Sequence, residues 1–509
     1  MKNVSKNKMI IRALFWVLAI TLLPGFPTAS PAKANTLRVS VQALPPSLFN
    51  PYRNTGLPYV YAWSATFEGL TAIDENGVLQ PWLATSWQNV NPLTWIIHLR
   101  DDVVFSNGKP FTADAVVAVV NFLTSKESVK EVVARMMFFL ESARVIDDKT
   151  VEIRTTVPTP LLPRFLPQLY IVEPEHFLAL GLEEFAREPV ATGPFILKKI
   201  RPDRAELAAF ENSWRAPKVD ALQILVLPEK TTRTFAIQTG QLDIALNMGP
   251  DEVAQIVASG GKKVFWRDAA IWAYHIVDGR HPALDDVRVR EALNIAVDRQ
   301  VIIDNLLDGV TIPATQPAPP MVYGFNPDLP PIPYDPEKAK ALLADAGYPE
   351  GFNMVMEATA GSSANDSAVN LMVAQYLAAV GVNMEIRTVT SPQIIRHVME
   401  GTFRGHAFGL HYNFEPSIEV LRALDTNSCL WSFPWYCRGE VMPMIHAAQT
   451  EFDPDANLKI RKDIMAYYRK DWASIFMYQA PRFAATASNV TGLYVVNNFI
   501  MFDRIVIED

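Results

Sequence analysis

The chain has 509 residues, 49% hydrophobic and 20% charged, a balance that suits a folded protein of two or three domains with a substantial core. Its formal net charge is -8, and residues 1–34 carry five basic side chains and no acidic one, so the remainder is more acidic still. That speaks against nucleic acid, whose binders concentrate positive charge on one face.

Lys2, Lys6, Lys8 and Arg12 precede an apolar run over residues 13–23 and a small-residue site at Ala32-Lys33-Ala34. This is the layout of a cleavable secretory signal, with cleavage expected after Ala34. No later segment approaches 18 uninterrupted apolar residues, so none is expected to span a bilayer. The only cysteines, Cys429 and Cys437, lie far from the cleavage region, so a lipid anchor is not expected. In an oxidising compartment they are expected to pair and to close a small loop, stabilising by roughly 2–3 kcal/mol through chain entropy.

Leu37, Val39 and Val41 alternate with polar residues, which predicts a half-buried opening strand. Tyr61 and Trp63 then stand in an aromatic stretch and are candidates to touch a ligand. Asn76-Gly77 and Asn107-Gly108 are turn signals, and Thr112 is placed to cap a helix that starts a helix-rich part reaching residue 142. Residues 151–155 read as a strand, and four prolines between 158 and 167 prevent any long helix. Residues 232–244 predict a helix, a stop at Gly240 and a strand start, with the polar Asn247 just beyond.

Residues 285–309 predict two helices back to back. Asp285 or Asp286 caps the first and Asp298 the second; Val297 and Ile302 have the spacing of a hydrophobic staple, and Gly309 is the stop. Nine prolines between 313 and 336 exclude regular structure there. Asp335 caps the next helix, which buries Ala339, Leu342, Leu343 and Ala346, and residues 352–388 predict a βαβ unit.

The wording of these stretches is more specific than their pattern. Asp-Val-Arg-Val-Arg-Glu-Ala-Leu followed by Ala-Val-Asp-Arg, and Tyr-Asp-Pro-Glu-Lys-Ala-Lys-Ala-Leu-Leu-Ala-Asp-Ala-Gly-Tyr at 334–348, resemble the extracytoplasmic solute-binding proteins of the peptide, opine and nickel class. These serve ATP-driven importers. The resemblance runs through the mature chain and implies a two-lobed periplasmic-binding-protein-like α/β fold with an extra domain. The expected parts are a signal peptide (1–34), a first domain split over 35–68, 186–272 and 487–509, a second over 69–185 and a third over 273–486. It further implies a periplasmic monomer that hands a small organic solute or peptide to an ABC permease with a separate ATPase.

The resemblance also directs attention to residues 408–416. Peptide-binding relatives carry there an aspartate that grips the α-ammonium, whereas this chain offers Tyr412 or Asn413, depending on the direction of counting. Neither is acidic, so a buried peptide amino terminus would lack a counter-charge there, which favours a non-peptide or modified solute over an oligopeptide. Asn247, where peptide-binding relatives often have a cleft-facing polar residue, is a further cleft candidate, as are Phe408, His411, Trp272, Tyr274 and Tyr478, and Trp431 and Trp435 inside the expected disulfide loop. No hydrolase, metalloprotease, Walker-type or paired Cys-x-x-Cys motif occurs, and the histidine pairs lack the helical spacing of a shared metal site. A binding protein without cofactor, metal or catalytic residues is expected; a ligand sensor or a secreted hydrolase on the same fold is the alternative from another class.

Overall fold

Ten strands form the sheet around which the chain is built: β1 (Thr36–Val41), β2 (Phe195–Arg201), β3 (Arg204–Ala209), β4 (Ala221–Val226), β5 (Ile244–Met248), β6 (Lys262–Ile276), β7 (Phe352–Thr359), β8 (Val382–Val389), β9 (Ala407–Asn413) and β10 (Ser474–Thr486). Their spatial order is β8-β7-β9-β6-β10-β5-β1-β4-β3-β2. The computed structural model describes residues 35–53 and 56–508, so the expected signal segment lies outside the described residues.

The two longest strands, β6 with 15 residues and β10 with 13, pair antiparallel at the centre. Toward one side β10 passes to β5 and β1; toward the other β6 passes to β9 and β7. These two strands therefore belong to both lobes. From Asp268 to Ile276 every residue of β6 is buried, as befits a central strand covered on both faces. The pairing is interrupted between Arg267 and Ile271 and again between Trp272 and Ala273, where the chain leaves one half of the sheet for the other. A separate four-stranded antiparallel sheet, residues 84–155, packs into the core shared with β1.

Local expectations hold at most places. Asp286, rather than Asp285, caps Val287–Ile295 through the Arg288 N–H at 2.8 Å; Asp298 caps Arg299–Leu306, and Asp335 caps Pro336–Asp345. Val297 and Ile302 are both buried, and Gly309 adopts a left-handed φ of 64°. Strands β7 and β8 are parallel and joined by Asp366–Ala378, giving the βαβ unit. Two details differ. Thr112 holds the N-cap backbone conformation of Ala113–Leu123, but its hydroxyl lies against Asp114 and makes no capping bond. The helix-rich part also ends before 142, because Leu140–Asp147 pairs with Thr150–Thr155. Cys429 and Cys437 form a disulfide.

Candidate functional site

Where β6 and β10 change partners, polar side chains stand in an otherwise apolar strand pair. Arg482 Nε donates to Asp268 Oδ2 at 2.6 Å, and Gln479 Nε2 donates to the Asp268 carbonyl at 2.9 Å. Asp268 and Gln479 line a half-open cavity of about 420 Å3 to which several distant chain segments contribute. The hairpin around Asn76 contributes one wall, Pro320 and Met321 of the proline-rich segment another, Glu415 a third, and residues 495–498 near the C-terminus the last.

The polar satisfaction of this cavity is uneven. Asn498 Nδ2 donates to Glu415 Oε2, and Asn497 Nδ2 donates to the Pro416 carbonyl at 3.0 Å. The remaining oxygens, Asp268 Oδ1, Glu415 Oε1, Asn497 Oδ1 and Asn498 Oδ1, are buried without a donor. Buried polar atoms are normally hydrogen-bonded, and the Trp266 indole N–H in the same lining is likewise buried without a partner, so acceptors and a donor are left open around one cavity. Burial, and after it the Asp268 charge, push the Glu415 carboxyl well above the usual carboxylate range, against the opposing pull of Arg482 and Arg422. Burial works against the charge of Arg482, yet the adjacent Asp268 carboxylate outweighs it and holds the guanidinium protonated.

The expected ligand residues fall into three groups. Tyr61 and Asn247 come together, the phenol donating to Asn247 Oδ1 at 3.4 Å, and Asn247 Nδ2 donates onward to Gln42 Oε1 at 3.4 Å. Asn247 shares a narrow cavity of about 40 Å3 with Gln42 and Arg482. Trp63, beside them in sequence, is wholly buried in the core of the lobe that holds β1.

The second group is divided by the pleat. Trp272, Tyr274 and Tyr478 point into the core on one face of the sheet, where Tyr274 donates to Asn370 Oδ1 at 2.8 Å. His411 meets the edge of Trp272 at 4.9 Å, and burial, followed by the nearby Arg482 charge, lowers its pKa to about 3, so it is neutral. Phe408 and Tyr412 point into the core on the opposite face. There Tyr412 shares a hydrogen bond of 2.7 Å with Ser474 Oγ, and Phe408 stacks on Phe403 and His275. Trp435, 2% exposed, packs edge-on against Phe408 at 5.3 Å.

The third group lies at the periphery: Asn413 is exposed at the end of β9, with its side chain accepting from the Glu415 N–H, and Trp431 donates to the Val398 carbonyl at 2.9 Å. None of the twelve lines the larger cavity. Its polar residues Glu75, Arg267, Asp268, Glu415, Gln479, Asn497 and Asn498, together with the adjoining Arg482, were not foreseen. An isolated Asp268 in an apolar strand and an Asn-Asn pair in the apolar tail were the available signals.

Comparison with known proteins places this arrangement. Residues 78–428 match the family described as bacterial extracellular solute-binding proteins, family 5 Middle. The chain is 30% identical over 359 residues to Heme-binding protein A of Haemophilus influenzae, covering 65% of this chain and 66% of that protein. It is also 30% identical over 362 residues to the Nickel-binding periplasmic protein of Escherichia coli, covering 66% of this chain and 65% of that protein. In both cases the matched stretch spans just under two thirds of the relative. Among solved structures, the ABC transporter substrate binding protein CtaP from Listeria monocytogenes superposes with a TM-score of 0.83 at 17% identity, covering 94% of this chain and all of that one, which shows the shared two-lobed fold. The chain belongs to the family 5 bacterial extracellular solute-binding proteins.

Proposed function

We propose that this protein is the periplasmic substrate-binding component of an ABC importer. It captures a small organic solute between its lobes and delivers it to a membrane permease whose energy comes from a separate ATPase. The observation that carries this reading is the cavity at the strand crossover, lined by the central strands β6 and β10, by Pro320 and Met321, by Glu415 and by residues 495–498, with buried polar atoms left without partners. A solute touching both lobes favours the closed form through those contacts, and recognition by the permease then needs no chemistry from this chain. The division into a split first domain (35–68, 186–272, 487–509), a second (69–185) and a third (273–486) belongs to the same proposal, as do export by a cleaved signal, the absence of a lipid anchor and a monomeric state.

A non-peptide or modified solute remains the favoured cargo, because Tyr412 and Asn413 place no carboxylate where peptide-binding relatives have one. The relatives named for heme and nickel are consistent with a family whose cargo varies. Oligopeptide capture is the second reading. Native mass spectrometry of the mature protein from its own periplasm, followed by denaturing extraction, tests both: a co-purifying non-peptide compound is expected, and a peptide would overturn the preference. Turnover of the extracted compound by the purified protein would overturn the binding reading itself.

A further inference from the structure

We infer that the small cavity beside Asn247 is a subsite for an anionic group of the solute, a carboxylate or phosphate, held between Lys230 and the free edge of Arg482; this rests on the solute-binding reading above. Both cations line that cavity and no carboxylate does. Lys230 opens the helix Lys230–Gln238 and is half-buried, and its ammonium has no hydrogen-bond or ion-pair partner among the described residues. The ammonium lies by the turn after β5, 3.4 Å from where a Cβ on Gly249 would stand. Arg482 engages Asp268 through Nε alone, which leaves its two terminal NH2 groups without a partner among the described residues. The neighbouring amides do not supply acceptors, because Asn247 Oδ1 takes the Tyr61 phenol and Gln42 Oε1 takes Asn247 Nδ2.

The acids around this place have donors of their own. Asp268 takes Arg482 Nε, and Glu252 accepts from the Gly249 N–H at 3.0 Å without pairing to Lys230. Asp366 accepts from the N–H groups of Gly361 at 2.9 Å, Ser362 at 2.9 Å and Ser363 at 3.2 Å, which fixes that loop as the opposite wall. Lys230 and Asn247 stand on the β5 side of β10, whereas the loop follows β7 beyond β6, so a group seated here touches chain from both halves of the sheet. Enclosing two cations without an acceptor is costly, and an anion shared between them offsets that cost with charge-assisted hydrogen bonds. The volume of about 40 Å3 has room for about three waters, which matches a carboxylate or a small oxyanion. Arg482 lines this cavity and its partner Asp268 the larger one, which sets the subsite beside the space available for the solute's body.

The test is calorimetric titration of the mature protein, freed of co-purified solute, with 3-phenylpropionate, its amide 3-phenylpropionamide, phenethylamine and inorganic phosphate. At least one of the two anions is expected to bind about tenfold or more tighter than the amide and the amine, and whichever anion binds tighter assigns the group as carboxylate or phosphate. Lys230→Met is expected to weaken that anion about tenfold with circular dichroism unchanged. Arg482→Lys, which keeps a charge beside Asp268 and loses the free guanidinium edge, is expected to weaken it as well and guards against a Lys230 variant that fails to fold. Lys459→Met, which removes the same charge from an exposed position on the helix Pro454–Lys470, should leave affinity intact. Equal binding of anion and amide, preference for the amine, no saturable binding of either anion, or anion affinity unmoved by both Lys230→Met and Arg482→Lys would overturn the assignment. Denaturing extraction separates this from the broader reading: a neutral or purely cationic co-purified solute removes the anion subsite and leaves solute binding standing, whereas an empty, non-binding protein removes both.

Discussion

Glu415 is the residue whose environment has the clearest solution consequence. Its native pKa is raised, so between the unfolded value of about 4.3 and the native one the folded state holds a proton that the unfolded state has lost. The stability this contributes is fully present below about pH 4.3 and is lost as pH rises through the native value. Ligand-free protein should accordingly lose stability from this group on going from about pH 5 to neutrality, with a limiting slope of about 1.4 kcal/mol per pH unit. Glu415→Gln should flatten the curve; superimposable urea-midpoint profiles for the two proteins would refute the account. Tyr412 acts differently because it is a core residue bonded to Ser474. Tyr412→Phe removes one buried hydrogen bond while keeping the ring, and equilibrium urea unfolding should show a loss of about 1 kcal/mol with ligand affinity unchanged.

Two elements meet at the wall of the cavity, at Asn76 and Met321. The turn at Asn76-Gly77 needs a left-handed residue, Gly77 having φ 76°, and it presses on the proline-rich segment so closely that an added Cβ would stand 1.7 Å from the Met321 carbonyl. Arg164 fastens the same place, donating to the carbonyls of Gly77 at 2.9 Å and Ile418 at 3.2 Å. Gly77→Ala should hold these segments apart, raising the radius of gyration of the ligand-bound protein in small-angle scattering and weakening solute affinity about tenfold or more. Gly108→Ala, at a turn with φ 86° and open space around it, should cost only local backbone strain and leave affinity intact. The loop closed by Cys429–Cys437 carries Trp435 into the core behind Phe408, so its removal loosens packing as well as the chain. Paired serine substitutions should lower stability by about 2–3 kcal/mol in chemical denaturation.

At the scale of the molecule, β6 and β10 connect the two lobes at the centre of one sheet, and their interrupted pairing is where the proposed closure would hinge. On the proposed reading, a solute bound there would couple closure to stability by mass action. At a concentration about 100 times its Kd, the extracted solute should stabilise the fold by about 2.7 kcal/mol and compact it in scattering. Compaction without stabilisation, or the reverse, would break the link between the cavity and the hinge.

The sequence by itself determined what depends on near neighbours and on wording: the alternating strand at Leu37–Val41, the caps at Asp298 and Asp335, the βαβ unit, the disulfide and, through residues 285–309 and 334–348, the family. Caps and periodicities are legible because their partners lie within a few residues. The cavity was not, because Asp268, Glu415 and Asn498 are distant in sequence and meet only when two strands cross and the C-terminal tail returns beside them. Aromatic residues drew attention in the sequence, but the two-residue alternation of β9 sends Phe408 and Tyr412 into one core and His411 toward Trp272 on the other face. Which polar atoms were left without partners was decided by the tertiary structure alone, since satisfaction of a buried oxygen is a property of everything packed around it.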